Sequence, residues 1–222
     1  MSPIAETTFM RGRTRILAGI TVANTPLITR AMDYARVHSE PYLFNHAVRS
    51  WLFAVRLAQL EGVPHDAEVV AVASLLHDLG LTDGFTGSRR FEIEGADAAR
   101  IFAREEGLDD RRAQLIWDGV ALNSTPSIGL HKEAEVAFCT AGIGVEFGFQ
   151  YDRIPPDEME RILAAFPRLE MKRRFTSSVC RIVEVRPETT YDNFAGDFGE
   201  RFVAGYSRPS AVDFLNGAPF EE

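Results

Sequence analysis

Cysteine is scarce in this chain: its 222 residues include two, Cys139 and Cys180. Two thiols in a chain of this length make no disulfide scaffold. Both lie inside apolar-periodic segments, so they read as buried thiols, which suits a reducing cytoplasm. Neither has an adjacent histidine to act as the base of a catalytic thiol. No apolar run approaches the roughly 20 residues that a membrane span needs. The opening MSPIAETTFMRGRTR lacks the apolar core of a secretory signal. Positive charge is also short, with 24 Lys and Arg against 32 Asp and Glu and a formal charge of −8. The longest basic run, MKRRF (Met171 to Phe175), reads as the solvated face of a helix. No basic stripe is interleaved with aromatics, so nucleic acid is not an expected partner. Repeats, low-complexity tracts and a convincing linker are absent as well.

What is present is a helical pattern at ordinary globular composition, 45% hydrophobic and 25% charged. One all-α domain over residues 1–222, with its core at about 19–205, is the economical expectation. Thr25-Pro26 offers an N-cap followed by proline at the first helical position. EPYLFNHAVRSWLFAVRLAQLEG is apolar on so many sides that it predicts a buried helix closed by Gly62. HDAEVVAVASLLHDLG follows, with Asp66 as its cap and Gly80 as its stop. LTDGFTGSRR reads as a loop. FEIEGADAARIFAREEG, DDRRAQLIWDGVALNST and EAEVAFCTAGIGVEFGF resume the helical period, with PSIGLHK as a turn between the last two. PPDEMERILAAF starts on Pro155-Pro156 and an acidic first turn. RFTSSVCRIVEVRP fits helix or strand, because its β-branched content competes with its period. The tail SRPSAVDFLNGAPFEE reads as irregular, with room for one helical turn. The abundance of apolar residues makes a homo-oligomer a candidate state.

The chemistry concentrates in three places. SLLHDLGLTDG sets His77 beside Asp78 at the end of a strongly apolar helix. Burying a bare carboxylate there costs several kcal/mol unless something compensates it. A core histidine beside an outward-turned aspartate is the plain alternative. His46, 31 residues upstream, sits in a second apolar helical run. Two antiparallel helices with a short connection would bring the two sites together. Imidazole and carboxylate together suit Zn²⁺, Fe, Mn²⁺ or Co²⁺ better than Ca²⁺ or Mg²⁺. A bound cation would compensate Asp78. Glu146 is a candidate fourth ligand, sharing a helical face with Cys139 and Gly142, whose small side chains leave room for an ion. Asp97, Asp118 and Asp152 are weaker candidates.

In order along the chain, PYLFNHAVRSWLF, VASLLHDLGLTD, RRFEIEGADAARIF and KEAEVAFCTAGIG resemble the HD superfamily of metal-dependent hydrolases, and within it the cyanamide hydratase-like branch. The likeness spans roughly residues 19–149. It implies an all-α bundle with a metal in its core and His46, His77 and Asp78 in three ligand positions. It also implies an aspartate where Glu146 stands and a histidine where Asn123 stands. Asparagine can hydrogen-bond substrate or water but is no proton shuttle near neutral pH. His131 could take that part or lie in a surface turn.

The expected cofactor is therefore one divalent transition metal, Zn ahead of Fe, Mn or Co. The expected reaction is addition of activated water to the nitrile-type carbon of a small molecule, with no membrane partner. Asp78, Asn45 and Asn123 are the candidate catalytic residues, and Glu92 and Glu94 the candidate supports. The competing reading is a phosphohydrolase acting on a nucleotide or other phosphoester. It needs cations to hold phosphate, for which Arg49, Arg56, Arg89, Arg90 and Lys132 are the candidates. A third is a non-enzymatic member that binds a ligand or a partner helix.

Overall fold

The computed structural model describes residues 14–220. Helix predominates, at 66%, with 11 helices among the described residues. The exception is a hairpin that helical periodicity did not anticipate. Strand β1 (Thr14–Leu17) pairs antiparallel with β2 (Ile20–Ala23), Thr14 opposite Ala23. The two linking residues, Ala18 and Gly19, both have positive φ (50° and 85°). A two-residue hairpin whose twist matches its strands demands that conformation. The opening segment 1–13, including most of the stretch tested for a secretory signal, lies outside the described residues. Among those described, no helix is long and apolar enough to cross a membrane.

Helix α1 (Pro26–His38) starts where Thr25 accepts the Ile28 amide. Helix α2 (Pro41–Glu61) is the axis of the fold. Trp51, Leu52, Phe53, Ala54, Leu57 and Ala58 are all buried, and Gly62 closes the helix in the left-handed conformation. Helix α3 (Ala67–Leu76) is capped by Asp66, which accepts the amides of Glu68 and Val69. It stops before Gly80, and a 3-10 turn follows over Leu79–Leu81. Gly80 has another reason to be glycine: a Cβ there would lie 1.9 Å from the Phe91 carbonyl oxygen. The segment after Asp78 can thus run against the start of α4 (Phe91–Glu105).

Helix α5 (Asp110–Ala121) is capped by Asp109. The expected turn at 126–132 contains a one-turn helix, α6 (Pro126–Gly129), and leads into α7 (Ala134–Glu146). Helix α8 (Pro156–Ala165) begins at the proline pair. The ambiguous segment is helix, α9 (Met171–Val185): Met171, Phe175, Val179, Ile182 and Val183 are its buried residues, at helical spacing. Helix α10 (Ala195–Phe202), which the sequence reading passed over, packs on α9. A short α11 (Ala211–Asn216) carries a capping box between Ser210 and Asp213.

The main core joins α1, α2, α3, α4, α5 and α7 with the hairpin. A second cluster sets Tyr42 and Leu43 of α2 against Met171, Phe175, Val179 and Val183 of α9 and Ala195 of α10. Both cysteines are free. Cys139 is fully buried, and burial pushes its thiol up to about 12. Cys180 is half-buried, against the expectation of a core thiol.

Candidate metal centre

Two helices and a 3-10 turn meet at the candidate site. His46 comes from the second turn of α2. His77 caps the C-terminus of α3, and Asp78 follows it into the 3-10 turn. All three are buried. The Nε2 atoms of the two histidines are 3.1 Å apart. Asp78 Oδ2 lies 3.1 Å from His77 Nε2 and 3.4 Å from His46 Nε2.

The outer nitrogens fix where the protons are. His77 Nδ1 sits 2.8 Å from the Ser74 carbonyl oxygen, which can only accept, so His77 donates from Nδ1. His46 Nδ1 sits 3.2 Å from the Glu146 carboxylate and donates likewise. In neutral imidazoles both Nε2 atoms then carry lone pairs, and both point at Asp78 Oδ2, which has no hydrogen-bond donor. Three acceptors face one another without a proton between them. Either a proton or a metal cation has to enter. Burial lowers the His46 pKa, but the Asp78 and Glu146 carboxylates outweigh it and the net shift is upward. Burial raises Asp78, and the two imidazoles more than reverse that, holding it below the usual carboxylate range. Imidazole nitrogens locked by second hydrogen bonds are the arrangement in which histidine ligates metals. One ligand atom from each of the three residues lies within 4.8 Å of the others, so the group could hold a divalent metal.

Glu146, expected as a fourth ligand, stands on the opposite side of the His46 ring. Its two oxygens take a bidentate pair from Arg49, Nε and Nη2 each at 2.7 Å. Arg49 is itself fully buried and donates from Nη1 to the Phe166 carbonyl at 2.9 Å. Arg168 approaches from outside at 3.3 Å. Burial raises the Glu146 pKa, but the Arg49 and His46 bonds dominate and hold it at about 2. The small residues on α7 do not make room for an ion. A Cβ on Gly142 would lie 2.4 Å from the Ser50 carbonyl oxygen and 2.6 Å from Ala54 Cβ. They let α7 press onto α2, and one turn later that contact delivers Glu146 to Arg49 and His46.

Asn45 turns away and donates to the Pro167 carbonyl at 2.9 Å. Asn123 is close: it donates to the carbonyls of His77 (3.2 Å) and Val120 (2.7 Å) and lines a cavity that opens on the three acceptors. His131 lines the same cavity. Glu92 is buried, paired with Arg90, and accepts from Ser124 Oγ at 2.6 Å. Glu94 is held by Arg89 at the loop. Asp97 and Asp118 are engaged by Arg89, Arg100 and Lys132, and Asp152 is exposed. Sequence reasoning missed the Arg49–Glu146 clamp, whose one visible sign was arginine three residues after His46. It also missed the aromatic cavity wall.

The fold and the site define an all-helical protein with a buried His-His-Asp group fit for a divalent metal. The HD domain family matches residues 43–172, more than half of the chain, and the chain belongs to it. Members of that family are mostly metal-dependent hydrolases. No curated protein sequence matches the chain closely.

Proposed function

We propose that the protein is a metal-dependent hydratase or hydrolase of an uncharged small molecule, with a nitrile-type carbon ahead of a phosphoester as the centre attacked. In this reading His46, His77 and Asp78 hold the ion, with zinc ahead of iron, manganese or cobalt. Glu146 orients His46 through Nδ1, and Arg49 holds Glu146. When bound, a divalent metal supplies activated water, its pKa drawn from about 15.7 towards about 7. Asp78, ionised and buried, orients that water. In hydration the water oxygen bonds to the nitrile carbon, both water protons finish on nitrogen, and no group leaves. Cyanamide would give urea.

One observation carries the preference for an uncharged substrate: among the described residues, no lysine or arginine lines the cavity beside His46, His77 and Asp78. The cations a phosphohydrolase would need are spent elsewhere. Arg49 is bound to Glu146, Arg56 to Glu158, Arg89 to Glu94, Arg90 to Glu92 and Lys132 to Asp118. A phosphate in this cavity would lack the charged donors that recognise it. The test loads the protein with zinc, iron, manganese or cobalt and compares hydration of cyanamide and simple nitriles with phosphate release from a nucleotide panel. Nitrile hydration that His77→Ala abolishes is the expected result. Phosphate release abolished by His77→Ala, with no nitrile turned over, would reverse the order.

A further inference from the structure

The cavity is far larger than cyanamide requires. Its volume is about 510 Å³, inside the range of roughly 300–1,000 Å³ in which pockets enclose whole organic ligands. His46, His77 and Asp78 form one part of its wall, and much of the rest is apolar. Phe147 and Phe149 come from the end of α7, Phe175 from α9, and Phe194 from just before α10. The Phe147 and Phe175 rings meet edge-on at 6.0 Å, and Phe175 stacks against Phe194 at 6.3 Å. Phe147 and Phe149 keep 48% and 65% of their surface exposed. That is apolar area left uncovered beside a polar centre.

One buried polar atom in the wall is uncommitted. Both amide protons of Asn123 are used by the His77 and Val120 carbonyls, which leaves Oδ1 free as an acceptor. The Thr140 hydroxyl, also without a partner, packs against Gly129 and is closed off from the cavity. The wall therefore offers a hydrogen-bond acceptor and an aromatic lining and, among the described residues, no lysine or arginine.

We propose that this cavity binds uncharged molecules with an aromatic or bulky aliphatic body, the body against Phe147, Phe149, Phe175 and Phe194. The polar head then lies towards His46, His77 and Asp78, with an N–H of that head donating to Asn123 Oδ1. As a statement about substrates this rests on the reaction class proposed above; as a statement about binding it does not. An amide, the product of nitrile hydration, carries the required N–H.

The test titrates benzamide and acetamide into the full-length, metal-loaded protein and reads binding by ligand-observed NMR. Covering the phenyl ring should make benzamide bind at least about tenfold more tightly than acetamide. Two variants locate the site. Gly144 lines the cavity, and a Cβ there meets Phe149 Cβ at an ordinary 3.6 Å, so Gly144→Leu narrows the space without a backbone clash. Phe149→Ala removes an exposed ring that the core does not need. Each should weaken benzamide at least about threefold, with circular dichroism unchanged. Equal binding of the two amides, or benzamide binding indifferent to both variants in folded protein, would overturn the proposal. Phosphate release from nucleotides bears on the reaction class alone, because the titrations judge the cavity whatever the turnover assay returns.

Discussion

Two buried carboxylates flank one imidazole. Glu146 and Asp78 stand on opposite sides of His46, and both are held below the usual carboxylate range. Around Glu146 both oxygens have donors: a bidentate guanidinium from Arg49, the Nδ1 proton of His46, and Arg168 at the edge. Around Asp78, among the described residues, the only nitrogens in reach are two imidazole Nε2 atoms. One side is complete as protein, and the other could be completed by a cation. Burial and acidity alone do not distinguish a structural carboxylate from a ligand. The donors already spent on it do.

The largest expected effect comes from breaking the complete side. Arg49→Met keeps volume and removes the bidentate guanidinium, which leaves the buried Glu146 with only His46 Nδ1 and the partly exposed Arg168 as partners. Breaking one partner of such a pair costs about 3–5 kcal/mol, and denaturant unfolding of metal-free protein should show it. A loss below about 1 kcal/mol would mean that Glu146 is solvated and the clamp is not structural.

A smaller effect sharpens the comparison from the neutral direction. Cys139 lies on α7 with Glu146 but has no charged partner, and burial raises its thiol from 9.0 to about 12. The folded state keeps this proton where the unfolded chain loses it. Its contribution is therefore fully present below about pH 9 and is lost as pH rises towards about 12. At pH 10 the wild type should have lost about 1 kcal/mol more than Cys139→Ala, relative to pH 8. Parallel pH profiles for the two proteins would place the thiol in contact with water.

The helices were legible because capping residues and apolar period agree along most of the chain. Thr25, Asp66, Gly62 and the Pro155-Pro156 pair mark helix ends where they stand. The hairpin was not legible, since its turn uses Ala18-Gly19 and its strands are four residues each. The meeting of His46, His77 and Asp78 was legible because polar ligand types inside strongly apolar helices have few other reasons to be there. The role of Glu146 was not. Periodicity places it on a face with Gly142, but which helix presses on that glycine is a tertiary fact. The aromatic wall was also hidden, because Phe147, Phe149, Phe175 and Phe194 come from separate elements and share no local pattern.

The account turns on which carboxylate meets the metal, and competition with a chelator measures that directly in wild type, Asp78→Asn and Glu146→Gln. Wild type should hold about one equivalent. Asp78→Asn should bind almost none at chelator concentrations that wild type withstands. Glu146→Gln should retain the ion with affinity reduced about 10–100-fold, as when the partner of a ligating histidine is lost. Loss of metal from Glu146→Gln as complete as from Asp78→Asn, or undiminished binding in Asp78→Asn, would contradict it.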